Sequence, residues 1–179
     1  MKSIIFLAFA TFFSVNVIAQ NVGIGTATPT ARLHIKGSAD TTQLIVEAYS
    51  IQSNIKPLIK LRNSLGVDLM WIHSDHSSNI FIGINAGRAN IAGFGGESNT
   101  FIGSESGYAN TFGRQNTTNG FNALYSNTIG VNNTATGASA IYNNNIGSNN
   151  TALGSYALYA NTTSGENTAV GSSALYLQS

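Results

Sequence analysis

Between 43 and 73 the apolar positions fall in three short runs, QLIVEAY (43–49), PLIKLR (57–62) and VDLMWIH (67–73). They are rich in β-branched and large apolar residues, which predicts strands. Pro57 stands at the start of its run, where it removes no interior ladder bond. Ser64-Leu65-Gly66 suits a tight turn, so the last two runs are expected to pair as a hairpin. Upstream, NVGIGTATPTARLHIKG (21–37) has Gly23, Gly25 and Pro29 before the alternating segment ARLHIKG.

From Asn79 onward a repeat replaces this pattern. Asn99, Asn116, Asn133, Asn150 and Asn167 are spaced by 17 residues. Counting each Asn as position 1, position 2 is Thr100, Thr117, Thr134, Thr151 and Thr168. Position 5 is Gly103, Gly120, Gly137, Gly154 and Gly171, and position 10 is Tyr108, Tyr125, Tyr142, Tyr159 and Tyr176. Position 8 is small (Ser106, Ala123, Ala140, Ala157, Ala174), and position 12 is Asn110, Asn127, Asn144 and Asn161, then Gln178. A degenerate copy starts at Asn79, with Gly83 and Arg88 at the Gly and Tyr positions. It is three residues longer, and Phe94-Gly95-Gly96 is assigned to the extra loop.

A period of 17 predicts a β-solenoid. Two strands of about 4–6 residues and two turns, at about 3.3 Å per strand residue, make one coil, and coils stack about 4.8 Å apart. Each column then meets itself: Thr on Thr, Tyr on Tyr, and Asn on Asn, whose amides donate and accept up the ladder. Gly and Asn tolerate the positive φ of the corners, as in NTTSGEN (161–167). Helical repeats are excluded by this content of Asn, Gly, Thr and Ser. The hexapeptide helix, the calcium-binding nonapeptide roll and leucine-rich repeats need periods or residues that are missing, and no Asp follows Asp75.

Composition sharpens this reading. Only 8% of the residues are charged and there is no cysteine, so disulfides, zinc–thiolate sites and a cysteine nucleophile are excluded. Nine charged residues fall between 20 and 78 (Arg32, Lys36, Asp40, Glu47, Lys56, Lys60, Arg62, Asp68, Asp75) and three between 99 and 179 (Glu105, Arg114, Glu166). The first 19 residues have the layout of a cleavable secretory signal: Lys2, an apolar core from Ile4 to Phe13, and Val17-Ile18-Ala19 before Gln20. Without Lys2, seven positive residues balance seven negative ones, giving no electrostatic preference for nucleic acid or anionic lipid. No later segment has the length to span a membrane. The expected organisation is a signal peptide (1–19), a strand-rich segment (20–78) and a repeat region (79–179).

The run NTALGSYALYANTTSGENTAVGSSALY (150–176) resembles the head repeats of trimeric autotransporter adhesins, whose Asn-x-x-aliphatic-Gly and Ser-x-Ala-x units wind as a left-handed β-roll. The likeness is one of pattern, those repeats being somewhat shorter. Residues 21–37 resemble a unit found just after the signal in surface and tail-fibre-like proteins of Bacteroidetes-type bacteria. The resemblance implies left-handed coils, an intertwined homotrimer, and adhesion or fibre formation outside the cell, towards a host or environmental glycan or protein. Such families often add a C-terminal assembly domain or membrane anchor, and the sequence is read here up to Ser179, inside a repeat. Five or six coils span about 25–30 Å, and coils of Gly, Ala, Ser and Thr bury little area at about 25 cal/mol per Å². Three copies would bury the remaining Tyr, Ile and Leu and cover sheet edges.

Candidate chemistry is sparse. His73-Ser74-Asp75-His76 is the one concentration of metal-like or catalytic groups, but it lacks a third and fourth metal ligand and the arrangement of a triad. It reads as a polar turn entering the roll, and His34 as a structural residue. The Tyr column is either a core or inter-chain ladder or a sugar-binding stripe. The Thr column is either turned inward and hydrogen-bonded or an ice-binding face. GIG (23–25) precedes no helix signal and no Lys-Ser/Thr, so it is no phosphate loop. A polysaccharide-active solenoid would need carboxylates, and beyond the entry loop the roll offers only Glu105 and Glu166. The expectation is an exported structural or adhesive fibre protein, not an enzyme, without cofactor or metal. A phage-type tail-fibre segment is the alternative, and the receptor surface is placed on the outer wall or the loop at 93–98.

Overall fold

The computed structural model describes residues 22–24, 27–28, 33–35, 44–46 and 55–177. The expected signal peptide lies outside the described residues. The chain forms two compact units, 1–46 and 47–179. In the first, β1 (Val22–Ile24) and β2 (Leu33–Ile35) pair in parallel, Val22 opposite Leu33 and Ile24 opposite Ile35. His34 lies in β2. Leu44, Ile45 and Val46 belong to no strand and are exposed, which corrects the expectation for QLIVEAY over its described part. Strand propensity needs a partner and a packed face to act on, and these three residues have neither among the described residues.

The second unit is all-β, with no helix among the described residues. One sheet runs β3 (Ile59–Arg62), β4 (Asp68–His73), β5 (Ile80–Ile82), β6 (Thr100–Ile102), β7 (Thr117–Asn119), β8 (Thr134–Thr136), β9 (Thr151–Leu153) and β10 (Thr168–Val170). The β3–β4 hairpin forms as expected. Its turn closes through the Gly66 amide on the Asn63 carbonyl at 3.1 Å, and Asn63 Oδ1 accepts from the Leu65 and Val67 amides, each at 3.0 Å. Gly66 carries the positive φ, +79°. Across the hairpin, Asp68 accepts from Lys60 Nζ, Arg62 Nε and the Trp71 indole. These bonds hold its pKa down at about 2.

From β5 to β10 the strands are parallel and in register, Thr100 opposite Thr117, Thr117 opposite Thr134, and so on up the stack. The 17-residue period is one solenoid coil. Each coil differs from the expected pair of 4–6-residue strands: it has one three-residue strand, and the rest is a succession of tight turns. Backbone bonds between coils continue through those turns. For example, the Leu124 amide donates to Ala140 O at 2.9 Å, and the Asn132 amide donates to Arg114 O at 3.1 Å. Positions 5, 7, 9 and 17 carry the positive φ angles that bend the chain.

The interior is narrow. Position 3 points inward with Phe81, Phe101, Thr118, Ala135, Ala152 and Ala169, and the small residues of position 8 lie beside it. Position 9 completes the core and compensates position 3. Where position 3 is Phe, position 9 is Gly87 or Gly107. Where it is Thr or Ala, position 9 is Leu124, Ile141 or Leu158. A Cβ on Gly107 would stand 2.5 Å from the Phe101 ring. The aliphatic residues hold left-handed φ angles of 50–55°, at about 1–2 kcal/mol each, offset by burial of about 1.5–3 kcal/mol. The buried hydroxyls of Ser106 and Thr118 hydrogen-bond to each other between coils.

Candidate functional site

Three kinds of column run along the stack, and their chemistry follows from which way each points. The two Asn columns point inward and are fully buried over most of their length. In the position-12 column each Nδ2 donates to the Oδ1 one coil back: Asn110 to Asn90 at 2.6 Å, Asn127 to Asn110 at 2.7 Å, Asn144 to Asn127 at 2.9 Å and Asn161 to Asn144 at 3.1 Å. The next residue in register, Gln178, lies outside the described residues. In the position-1 column Oδ1 instead accepts the next coil's backbone amide, as Asn116 Oδ1 does from Asn133 at 2.9 Å. Both columns also donate to one carbonyl at position 15: Asn116 and Asn127 meet on Gly130 O, at 2.9 and 3.1 Å. A buried polar core is stable only when it is paired, and along these columns Asn161 Oδ1, at the last described coil, is the atom without a partner among the described residues.

The His73–His76 segment closes the N-terminal end of these columns. Asp75 Oδ1 accepts from Asn79 Nδ2 at 2.7 Å and Asp75 Oδ2 from Asn90 Nδ2 at 2.8 Å. One carboxylate thus takes up donors from both columns, at the end where no preceding coil supplies an acceptor. Ser74 Oγ lies 2.6 Å from His76 O and 2.7 Å from Asn79 O, and His76 Nδ1 is 2.8 Å from Ser78 Oγ. His73 is not part of a polar turn: it is 3% exposed and sits on the aromatic core, 5.3 Å from the Phe81 ring, which stacks on Phe101 at 5.2 Å. Burial lowers its pKa to about 4, while the Asp75 charge and the Ala86 backbone pull more weakly the other way. Neither ring nitrogen closes a well-formed hydrogen bond among the described residues. No group of three or more metal-ligating side chains gathers among the described residues.

The loop of the first coil corrects one assignment. Gly96 is not spare: its carbonyl accepts from Asn79 and Asn90 at 2.8 and 2.6 Å, the role of position 15. The three extra residues therefore fall within 92–95, which also supplies position 14, and Phe94 there is 82% exposed. A glycine is required at 96, since a Cβ there would lie 2.7 Å from two backbone oxygens.

The Tyr column points outward and is half-buried, so it is not the core of the single chain. Rings of Tyr108, Tyr125, Tyr142, Tyr159 and Tyr176 stack with centroids 4.9, 5.0, 5.1 and 5.0 Å apart and planes within 14°. Arg88, holding the Tyr position of the first coil, lies over Tyr108 at 5.4 Å and ends the column with a cation–π contact. Burial, followed by the charges of neighbouring residues, raises the pKa of Tyr125 and Tyr159. The ring faces are spent on one another, which leaves edges and hydroxyls outward and little face for a pyranose.

The Thr column also corrects an expectation. Position 3 is the inward residue of each strand, so Thr100, Thr117, Thr134, Thr151 and Thr168 face outward. At positions 2 and 4 of the repeat a paired Thr-x-Thr occurs only at Thr134 and Thr136; elsewhere position 4 is Ile102, Asn119, Leu153 or Val170. Position 14 forms an apolar row of Phe112, Ile129 and Ile146, which are 42%, 51% and 45% exposed. Glu105 and Glu166 sit at positions 7 and 17, three coils apart, and do not come together as the carboxylate pair of a glycosidase would, within about 5–9.5 Å. No described helix is long and apolar enough to cross a membrane. Comparison with known protein families, with curated proteins and with solved structures yields no match.

The compensation between positions 3 and 9 and the role of Asp75 were missed by the sequence reading. A signal for the first exists: both Phe residues of position 3 fall in the two copies that have Gly at position 9.

Proposed function

We propose that this chain is an exported structural or adhesive fibre protein that works outside the cell as a homotrimer. The observation that carries the reading is the wall of the solenoid. Phe112, Ile129 and Ile146 make a row of half-exposed large apolar residues, and Phe121 and Leu153 add exposed apolar surface on other faces. Almost no charge stands among them, since the coils from 99 carry only Glu105, Arg114 and Glu166. Contiguous apolar surface of this kind marks an assembly surface. A core of Ala and Gly columns gives each coil little apolar burial of its own. Association supplies the rest, and the loop carrying Phe94 remains as a candidate contact for a surface glycan or protein. Light scattering after size exclusion tests the reading: the mass should be three times that of one chain. Ile129→Ser combined with Ile146→Ser should shift it to one chain with the β-rich dichroism retained. A wild-type mass of one chain at all concentrations would contradict the proposal.

A further inference from the structure

The outward tyrosine column has the geometry of a covalent staple. Successive rings lie about one coil apart and nearly parallel, with centroids 4.9–5.1 Å apart, so the same carbon of each ring faces its counterpart on the next. The rings are half-exposed, within reach of a small oxidant. The repeat region from 79 contains no Cys, Met, Trp or His, so tyrosine is its only readily oxidised side chain. Packing between coils keeps each ring beside the same neighbour, which raises its effective concentration over any other partner.

We propose that this column is an oxidative cross-linking site, in which tyrosines 17 residues apart are joined ring to ring. Each ring gives up one electron and its phenolic proton to become a phenoxyl radical. The two unpaired electrons form a Cε–Cε bond. Each ring then transfers its Cε hydrogen to the phenolic oxygen and regains aromaticity. The net change is the loss of two hydrogen atoms per link. A peroxo compound takes up the two electrons and two protons as its O–O bond breaks; hydrogen peroxide gives two waters and persulfate two hydrogen sulfates. Each link closes a loop of about one coil, constraining the unfolded chain as a disulfide would in a sequence that has none. The inference does not rest on the fibre reading, whose proposed contact row is position 14 (Phe112, Ile129, Ile146) and not the tyrosine column at position 10.

Tyr156 lies off the column, tilted and 5.7 Å from Tyr159, so the test is read at Tyr108, Tyr125 and Tyr142, where no other described tyrosine competes. The full chain, dilute, is photo-oxidised briefly with a ruthenium polypyridyl and persulfate, then examined by dityrosine fluorescence, intact mass and peptide mapping. The expected product is a single chain lighter by two hydrogens per link, with peptides joined Tyr108 to Tyr125 and Tyr125 to Tyr142. In urea the same treatment should lose that neighbour preference. Tyr125→Phe keeps a stacking ring but forms no phenoxyl radical, and should remove both links while leaving any at Tyr142–Tyr159. Links found only between chains, links between rings not 17 residues apart, or a folded yield no higher than in urea would each overturn the proposal.

Discussion

Phe101 and Gly107 share one volume in the core, and so do Ala135 and Ile141 two coils on. Swapping the first pair for the second is therefore a direct check on the packing. Phe101→Ala should cost about 3–5 kcal/mol by leaving a cavity. Gly107→Leu should also destabilise, because its side chain starts 2.5 Å from the Phe101 ring. The double variant should be more stable than the sum of the two by about 2 kcal/mol, measured by urea unfolding. Leu is acceptable at that φ because Leu124 already adopts it, at 55°. His73 gives a second check. Its folded pKa, about 4, lies below its ordinary 6.5. The unfolded chain thus takes up a proton first as pH falls. Stability is full above pH 6.5, declines as pH drops towards 4 and levels below that, with a loss of about 3 kcal/mol. His73→Phe keeps a ring against Phe81 and should flatten that limb of the stability–pH curve, whereas the contribution of Asp68 is lost only lower, as pH falls through about 2. Recurrence made the Asn, Gly and small-residue positions legible in sequence. It did not reveal positions 3 and 9, because a compensating pair looks variable when each column is read alone. Nor did it reveal that His73 is buried, which depends on a strand face settled by the sheet.

The coil is held by what its turns allow. The hairpin at 59–73 was readable from its turn residues and apolar runs, and the coil boundaries from the Asn register. The strand length was not, because with Gly at position 5 and left-handed residues at 7 and 9 the chain leaves the sheet after three residues. That departure also fixes the Thr side chains outward, since only the middle residue of a three-residue strand faces in. The position-5 glycines let neighbouring backbones approach. A Cβ on Gly137 would stand 2.5 Å from the Gly154 carbonyl carbon, while one on Gly171 meets nothing nearer than 4.0 Å. The two share nearly the same φ, +127° and +122°, so backbone strain cancels in the comparison. Gly137→Ala should therefore be less stable than Gly171→Ala by about 1–3 kcal/mol in thermal or urea unfolding.

Over the whole molecule, stability passes from coil to coil, so each coil depends on its neighbours. The interior contributes unusually through polar columns: two lines of Asn, joined at each position-15 carbonyl and closed at one end by Asp75. With these columns inside, the wall carries an apolar row beside its own polar contacts such as Thr128 to Asn145, and that row is the basis of the assembly proposed above. Its most direct test is equilibrium unfolding of Asn127→Ala beside Asn119→Ala. Asn127 is buried, bonded to Asn110 Oδ1 and Gly130 O and accepting from Asn144; Asn119 is an exposed residue of β7 in the same coil. Removing the first strands polar groups on both sides and should cost about 2–4 kcal/mol. Removing the second should change stability by no more than about 0.5 kcal/mol. Equal, small effects at the two sites would contradict a solenoid knit by internal asparagine ladders.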